Sequence, residues 1–453
     1  MTPTSIYAIF FVEVLTLRKK GQETMVEGRH YLTAREVAST LGVSLETVYA
    51  YVSRGKLRPV PESERIGYFR VLAAREGHSE DWLKKQVQKS KLYLAEDVQR
   101  LLDRKSYRKD PIPLTNGAIH WGTPVLESAL TQITETGLYY RGQDVAKLAA
   151  ECSIEQVAAL LWSGESANET EIFTTQTALP LQHYLDTIKR MGEELAPLQR
   201  LQIALALAMK DDLASYDLDT QSLNLMRTGA RILKLLVAVA TDNSQITGSL
   251  AAHLQENWRP DAPATQQLFN AALIASADHE LNASSFTARV VASADAQPYL
   301  VVTAGLAALQ GFKHGGSIML VESLLREIGT EPLARQVVAS RLKRGECIPG
   351  FGHRLYANGD PRGAILLHQL EQDYQHHSAM RLIHATIEAV YALTGKRPSL
   401  DLGLVALAHV LGLPEGSALT LFALGRTVGW IGHALEQYQT KQIIRPRARY
   451  VGV

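Results

Sequence analysis

Three histidines sit where a helical chain can do chemistry. His279 lies in ADHELNASS (277–285), His314 in GFKHGGS (311–317) and His353 in PGFGHRLYANGDPRG (349–363). Each stretch interrupts an apolar helical pattern with Gly, Asp, Asn or Ser. At such breaks the first N–H groups of the next helix are unpaired and open to a substrate or a side chain. Imidazole near neutral pH can be an acid, a base, a hydrogen-bond donor or a metal ligand. Any one of the 14 histidines is more often a surface or hydrogen-bonded core residue. Three at polar breaks make a sharper pattern. Metal is disfavoured, because the sequence has no HExxH, and its two cysteines, Cys152 and Cys347, are far apart. It also lacks a Walker loop and a dinucleotide fingerprint, which argues against ATP and NAD chemistry.

The elements that would hold these groups read as helices. From Ile119 onward, periodicity marks helices over 144–162, 176–187, 196–209, 228–241, 264–276, 297–310, 317–327, 330–343, 363–392, 400–410 and 416–436. Few strand-like alternations compete, so the fold class is mainly α. The N-terminal part differs. In residues 31–58, Thr33 and Glu36 form a capping-box signal, and Val37, Ala38 and Leu41 give one buried face. Gly42 turns the chain, Ser44 caps a second helix to about Arg54, and Gly55 ends it. This is a helix-turn-helix pattern, and it resembles the DNA-binding modules of mercury-resistance-type regulators and phage excisionases. Gly67, Tyr68 and Arg70 fit the small hairpin that often follows such modules. Arg54, Lys56, Arg58, Arg65 and Arg70 are the expected phosphate contacts. The competing reading is a packing or oligomerisation domain, since the second helix presents Glu46, Thr47, Ala50 and Ser53 and no basic residue before Arg54.

Composition sets the frame. The chain has 453 residues and a formal net charge of +1, unevenly spread. Residues 1–110 hold 20 Lys/Arg against 14 Asp/Glu, and the rest hold 27 against 32. A basic front on a mildly acidic body hints at a nucleic-acid module joined to something else. The apolar run Ile6 to Leu17 contains Glu13 and is too short for a bilayer span. With no basic leader before it, a cytoplasmic, non-membrane location is expected. The expected organisation is an extension (1–30), a helix-turn-helix module (31–75), a helical connector (76–118) and a catalytic region (119–453), with a small domain at about 320–400.

Longer segments carry a more specific likeness. LYYRGQDVAKLA (138–149), SADHELNASSFTARVV (276–291), AGLAALQGFKHGGS (304–317), PGFGHRLYANGDPRG (349–363), RPSLDLGLVAL (397–407), LFALGRTVGWIGHALEQ (421–437) and RPRARYVG (445–452) resemble the signature regions of the citrate synthase family. They occur in the family's order across roughly 119–453. The resemblance implies a two-domain helical fold that works as a homodimer or a multiple of dimers and closes over its substrates. It implies condensation of an acyl-CoA with oxaloacetate, with no permanently bound cofactor. In this likeness His314 polarises the thioester carbonyl, Asp401 takes the acyl proton, and His353 donates to the ketone of oxaloacetate. His279, Arg362, Arg426 and Arg445 would hold that substrate, Arg445 coming from the partner subunit.

Each assignment has a plainer alternative. Asp401 could cap a helix starting around Leu402. Arg362 could lie on the surface, and Arg445 in a structural ion pair. Arg426 stands in an apolar run, which argues for pairing or a cleft. The chain departs from the family pattern at Leu402–Leu404, at Lys313 and at Ala357, where many relatives carry a basic residue. Lys313 or Lys343 is the compensating candidate for the coenzyme phosphates. The resemblance covers citrate synthase with acetyl-CoA and 2-methylcitrate synthase with propionyl-CoA. A third reading is a DNA-binding regulator that senses CoA or a di- or tricarboxylate.

Overall fold

The structure is a computed structural model. It describes residues 25–26, 29–54, 56–95, 97–98, 101, 126–134, 137–174, 179–192, 194–220, 223–356, 358–448 and 450. Most of the expected extension, the expected boundary at Ile119 and Ala357 lie outside these residues. The chain divides into two compact units, Met1–Glu127 and Ser128–Val453.

In the first unit, β1 (Met25–Val26), β2 (Arg29–Thr33) and β3 (Leu92–Leu94) form an antiparallel sheet in the order β1-β2-β3. Helix α1 (Ala34–Leu41) starts on the Thr33–Glu36 capping box, and α2 (Leu45–Ser53) on Ser44. Val37, Leu41 and Val48 close this pair over Leu57 and Tyr93. The expected hairpin at Gly67–Arg70 is instead the middle of helix α3 (Glu62–Glu76). Ile66, Phe69 and Leu72 recur at helical spacing and pack against Val87 and Trp82 of α4 (Glu80–Lys89), which outweighs the single glycine. The stretch expected as connector therefore supplies structure: β3 pairs with β2 through Tyr31–Leu94 and Thr33–Leu92. Arg65 does not face outward as a phosphate contact. Its Nη1 donates to the carbonyls of Val87 (2.7 Å) and Ser90 (3.2 Å), tying α3 to the end of α4.

The second unit is nearly all helix. A short ribbon, β4 (Thr131–Ile133), β5 (Leu138–Tyr140) and β6 (Gln143–Asp144), leads in. The helices are α5 (Val145–Glu151), α6 (Ile154–Ser163), α7 (Glu169–Phe173), α8 (Leu181–Met191), α9 (Pro197–Ala208), α10 (Asn224–Thr241), α11 (Leu250–Trp258), α12 (Gln266–Ser276), α13 (Ala283–Ala292), α14 (Pro298–Leu309), α15 (Ser317–Ile328), α16 (Ala334–Lys343), α17 (Pro361–Tyr374), α18 (Ser378–Thr394), α19 (Leu400–Val410) and α20 (Ser417–Thr440). The span read as one helix at 144–162 is broken by Ser153, which caps α6 in a reciprocal box with Gln156. Likewise 363–392 is two helices.

Helix α20 runs through the core, packed by α6, α10, α12, α13, α14 and α19. All its residues from Ser417 to Leu435 are buried, including Arg426 and His433. Helices α17 and α19 pack closely, because a Cβ at Gly363 would collide with the Ser399 carbonyl. That brings their N-termini, and the residues there, side by side. Among the described residues no helix is long and apolar enough to cross a membrane.

Candidate active site

The polar breaks converge through their flanking helices. His279 follows α12, in a turn where Glu280 takes a left-handed φ of 51°. His314 lies just before α15. His353 sits in the 349–360 loop, which is stitched to the segment before α19 by Gly352 N–H to Arg397 carbonyl (2.8 Å) and Ser399 N–H to Gly350 carbonyl (2.9 Å). The rings of His279 and His353 are 5.1 Å apart, and Tyr356 stands within 5.6 Å of the first and 5.0 Å of the second. Tyr356 Oη lies 2.8 Å from His279 Nε2.

Hydrogen bonds set the ring states. His353 Nδ1 accepts the Leu355 N–H at 3.2 Å, so in the neutral ring the proton resides on Nε2. His314 Nε2 is 2.7 Å from Ser284 Oγ. Ser284 Oγ is also 2.8 Å from Asn282 Oδ1, which already accepts the N–H groups of Ser284 and Ser285 as the cap of α13. The Ser284 hydroxyl thus ties the His314 ring to the cap of α13.

Asp401 is the second residue of α19 and does not cap it. The first N–H of the helix, at Leu400, donates to Asp360 Oδ2 at 3.1 Å. Asp401 Oδ2 instead accepts the Ser317 hydroxyl from the start of α15. Burial raises the Asp401 carboxyl above the ordinary carboxylate value; the Ser317 hydrogen bond and the charges of Arg362 and Arg426 oppose that rise. Such a carboxylate is a stronger base than a solvated one.

Two guanidinium groups dominate the field. Arg362, on the first turn of α17, is buried and bidentate on Asp360, Nε to Oδ1 at 2.9 Å and Nη2 to Oδ2 at 2.8 Å. Arg426 is buried in α20; its Nε donates to the Ser276 carbonyl at 2.7 Å, and its Nη2 has no partner among the described residues. A buried guanidinium with an unused N–H edge is costly unless a ligand completes it. Burial lowers Arg426 to about 10, yet it stays charged at neutral pH. Both arginines act on the histidines. Burial, then Arg426 and Arg362, hold His314 down to about 3. Burial and the same two charges hold His279 well below its usual value, and burial with Arg362 lowers His353. All three rings are neutral donors or acceptors at pH 7.

The structure thus gathers His279, His314, His353, Asp401, Arg362 and Arg426 into one coupled set. Arg445 is exposed beyond α20, and Lys313 and Lys343 are exposed as well. Sequence reasoning missed Tyr356, Asp360, Ser284 and Ser317. Only Asp360, in a cap position before Pro361, left a readable signal. Among the described residues no group of His, Cys, Asp and Glu has the arrangement of a metal site.

Comparison with known proteins gives the same address. Residues 118–447 match the family model for the citrate synthase C-terminal domain, and residues 31–73 match one for a helix-turn-helix domain. The chain is 32% identical to the citrate synthase of Mycolicibacterium smegmatis, over 73% of this chain and 94% of that protein. It is 31% identical to the 2-methylcitrate synthase of Shewanella oneidensis, over 72% and 92%. The crystal structure of citrate synthase from Thermotoga maritima superposes with a TM-score of 0.63 at 27% identity, over 73% of this chain and 94% of that one.

Proposed function

The chain belongs to the citrate synthase family, and on that premise we propose that it condenses acetyl-CoA with oxaloacetate and hydrolyses the citryl thioester to citrate and CoA. It is an acyl-CoA-dependent synthase of the citrate synthase type. One observation carries the mechanism: a sheltered carboxylate, Asp401, shares the field of Arg362 and Arg426 with three neutral imidazoles.

Protons next to a thioester are far less acidic than a carboxylic acid. Asp401 removes one only while the developing oxyanion is stabilised. A ring N–H of neutral His314 supplies that stabilisation, and one such donor is worth on the order of 3 kcal/mol. The resulting enol carbon attacks the ketone of oxaloacetate, whose oxygen takes a hydrogen bond from His353 Nε2–H. A carboxylate of oxaloacetate completes the free edge of Arg426, with the Arg362 charge alongside it. His279 and Tyr356 line the same substrate, and Arg445 reaches it from the second copy in a homodimer. Excluding water until the carbon–carbon bond has formed keeps acetyl-CoA from simple hydrolysis. Water then cleaves the citryl thioester.

The competing thioester is propionyl-CoA, one methylene longer, a difference worth about 1–3 kcal/mol in a pocket. Thiol release with oxaloacetate and each thioester distinguishes the two. Faster turnover with propionyl-CoA would make the protein a 2-methylcitrate synthase.

A second reading concerns the first unit. Its α2 leaves Leu45, Glu46, Tyr49 and Ser53 exposed, with Arg54, Lys56 and Arg58 exposed just beyond. Contact with DNA through residues 31–75 is supported by that basic end and by the family match. It would join synthase chemistry to gene regulation by CoA or a carboxylate. A gel shift over a salt series tests it; binding that does not weaken with salt, or none above background, rejects it.

A further inference from the structure

The segment that presents His279 is gripped from behind by one face of α20. Three successive residues before the histidine each meet a residue at helical spacing. The Ser276 carbonyl accepts Arg426 Nε at 2.7 Å, and the Ala277 carbonyl accepts the Gly429 N–H at 3.0 Å. Asp278 Oδ1 lies 3.2 Å from His433 Nε2. Residues 426, 429 and 433 share a helix face. Gly429 is required there, because a Cβ would collide with the Ala277 carbonyl and with Asp278 Oδ1.

Asp278 is fully buried, as is His433. A buried carboxylate must be compensated. His433 and the Thr131 hydroxyl, which donates to Asp278 Oδ2 at 2.6 Å from β4, do that, and the charge of Arg426 adds to it. The Asp278 backbone is pinned as well: its N–H donates to Tyr140 Oη at 3.1 Å, and its carbonyl lies 3.1 Å from the same hydroxyl. The approach of His433 is off the line of an ideal hydrogen bond, so the pair meets by proximity, and neither ring nitrogen of His433 nor Asp278 Oδ1 has a hydrogen-bond partner among the described residues. Packing alone would place an apolar residue at this dry position. A polar ring facing Asp278 Oδ1 is there instead.

We propose that His433 and Asp278, with Thr131, form a positioning pair that fixes His279 against the 2-oxo acid, and that couples it to Arg426 on the same helix. Neither side chain is a catalytic residue; both act through the turn at 278–280. The inference rests on the condensation reading, since it assigns His279 to the oxo acid.

The test compares His433→Leu, His433→Gln and Thr131→Val with the wild type in the full chain, by thiol release with each substrate varied in turn. Gln places an amide N–H where Nε2 stood; Leu removes it. His433→Leu is expected to raise the KM for oxaloacetate about 10-fold or more, leaving the KM for acetyl-CoA within about twofold, in line with the sensitivity of bound geometry to displacements near 1 Å. His433→Gln should recover most of that loss, and Thr131→Val should shift the same KM in the same direction by less. Should His433→Leu not fold, the Thr131→Val and His433→Gln pair carries the test. An unchanged oxaloacetate KM in every folded variant, or an equal rise in both KM values, overturns the proposal. Absence of turnover in the wild type would instead defeat the condensation reading.

Discussion

Helices α20 and α2 treat polar groups in opposite ways. Helix α20 buries an arginine and a histidine within a long apolar run, and each has a definite neighbour: Ser276 and Asp278. Helix α2 buries Val48 and turns Leu45, Glu46, Tyr49 and Ser53 outward. In the first case burial forces a reason for every charge, because an unpaired buried charge costs several kcal/mol. In the second, solvent satisfies any side chain, so identity says little about role. The chemistry of the second unit can therefore be argued atom by atom, whereas the first unit supports only a class of partner.

The comparison sharpens first at the base. Asp401→Asn keeps the shape and the Ser317 contact but removes the proton acceptor. Turnover should fall on the order of 10³-fold with the thioester KM little changed, as for loss of a general base; steady-state kinetics on both substrates measure this. Next is the buried arginine. Arg426→Lys retains charge and loses the fork, and a hydrogen bond to a charged group is worth about 1.5–3 kcal/mol. The oxaloacetate KM should rise between about 10- and 150-fold, and a rise below threefold would mean that α20 buries Arg426 for structure alone.

Acid should strain the second unit. In the unfolded chain a histidine takes up a proton near pH 6.5, whereas the folded site keeps His314 neutral down to about 3. Between those values the unfolded state binds more protons, so stability falls as pH drops through the window, by up to about 1.4 kcal/mol per pH unit for each such group. His279 acts in the same direction. Asp401, raised, acts the other way, favouring the protonated fold just above the ordinary carboxylate range. Denaturant titrations at pH 7 and pH 5 should differ by about 2 kcal/mol less in His314→Gln than in the wild type. The smallest effect belongs to the basic stretch just beyond α2. Arg58→Ala should lower the salt slope of DNA binding by about 1 if that side chain meets a phosphate. An unaltered slope with intact binding removes Arg58 from the contact surface.

Legibility in the sequence followed the same divide. Long apolar periodicities marked most helices of the second unit, and the polar breaks marked the candidate histidines. The β4–β6 ribbon is not legible in sequence because strands of two or three residues show no usable alternation. Ser153 was hidden inside an apolar run, although it and Gln156 form a cap signal. Asp360 and Ser284 could be seen as residues but not as partners. The Leu400 N–H and the His314 ring reach them only through tertiary packing. In the first unit Gly67 suggests a hairpin, and the packing of Ile66, Phe69 and Leu72 against α4 overrides it. Arg65 reads as a phosphate contact in sequence, whereas in the fold it donates to two carbonyls at the end of α4.

The most direct measurement follows free thiol released from acetyl-CoA, with and without oxaloacetate, by the wild type and Asp401→Asn. The predicted result is release that requires oxaloacetate in the wild type and drops by about three orders of magnitude in the variant. Folded wild type that releases no thiol from acetyl-CoA or propionyl-CoA, or a variant as fast as the wild type, contradicts the account.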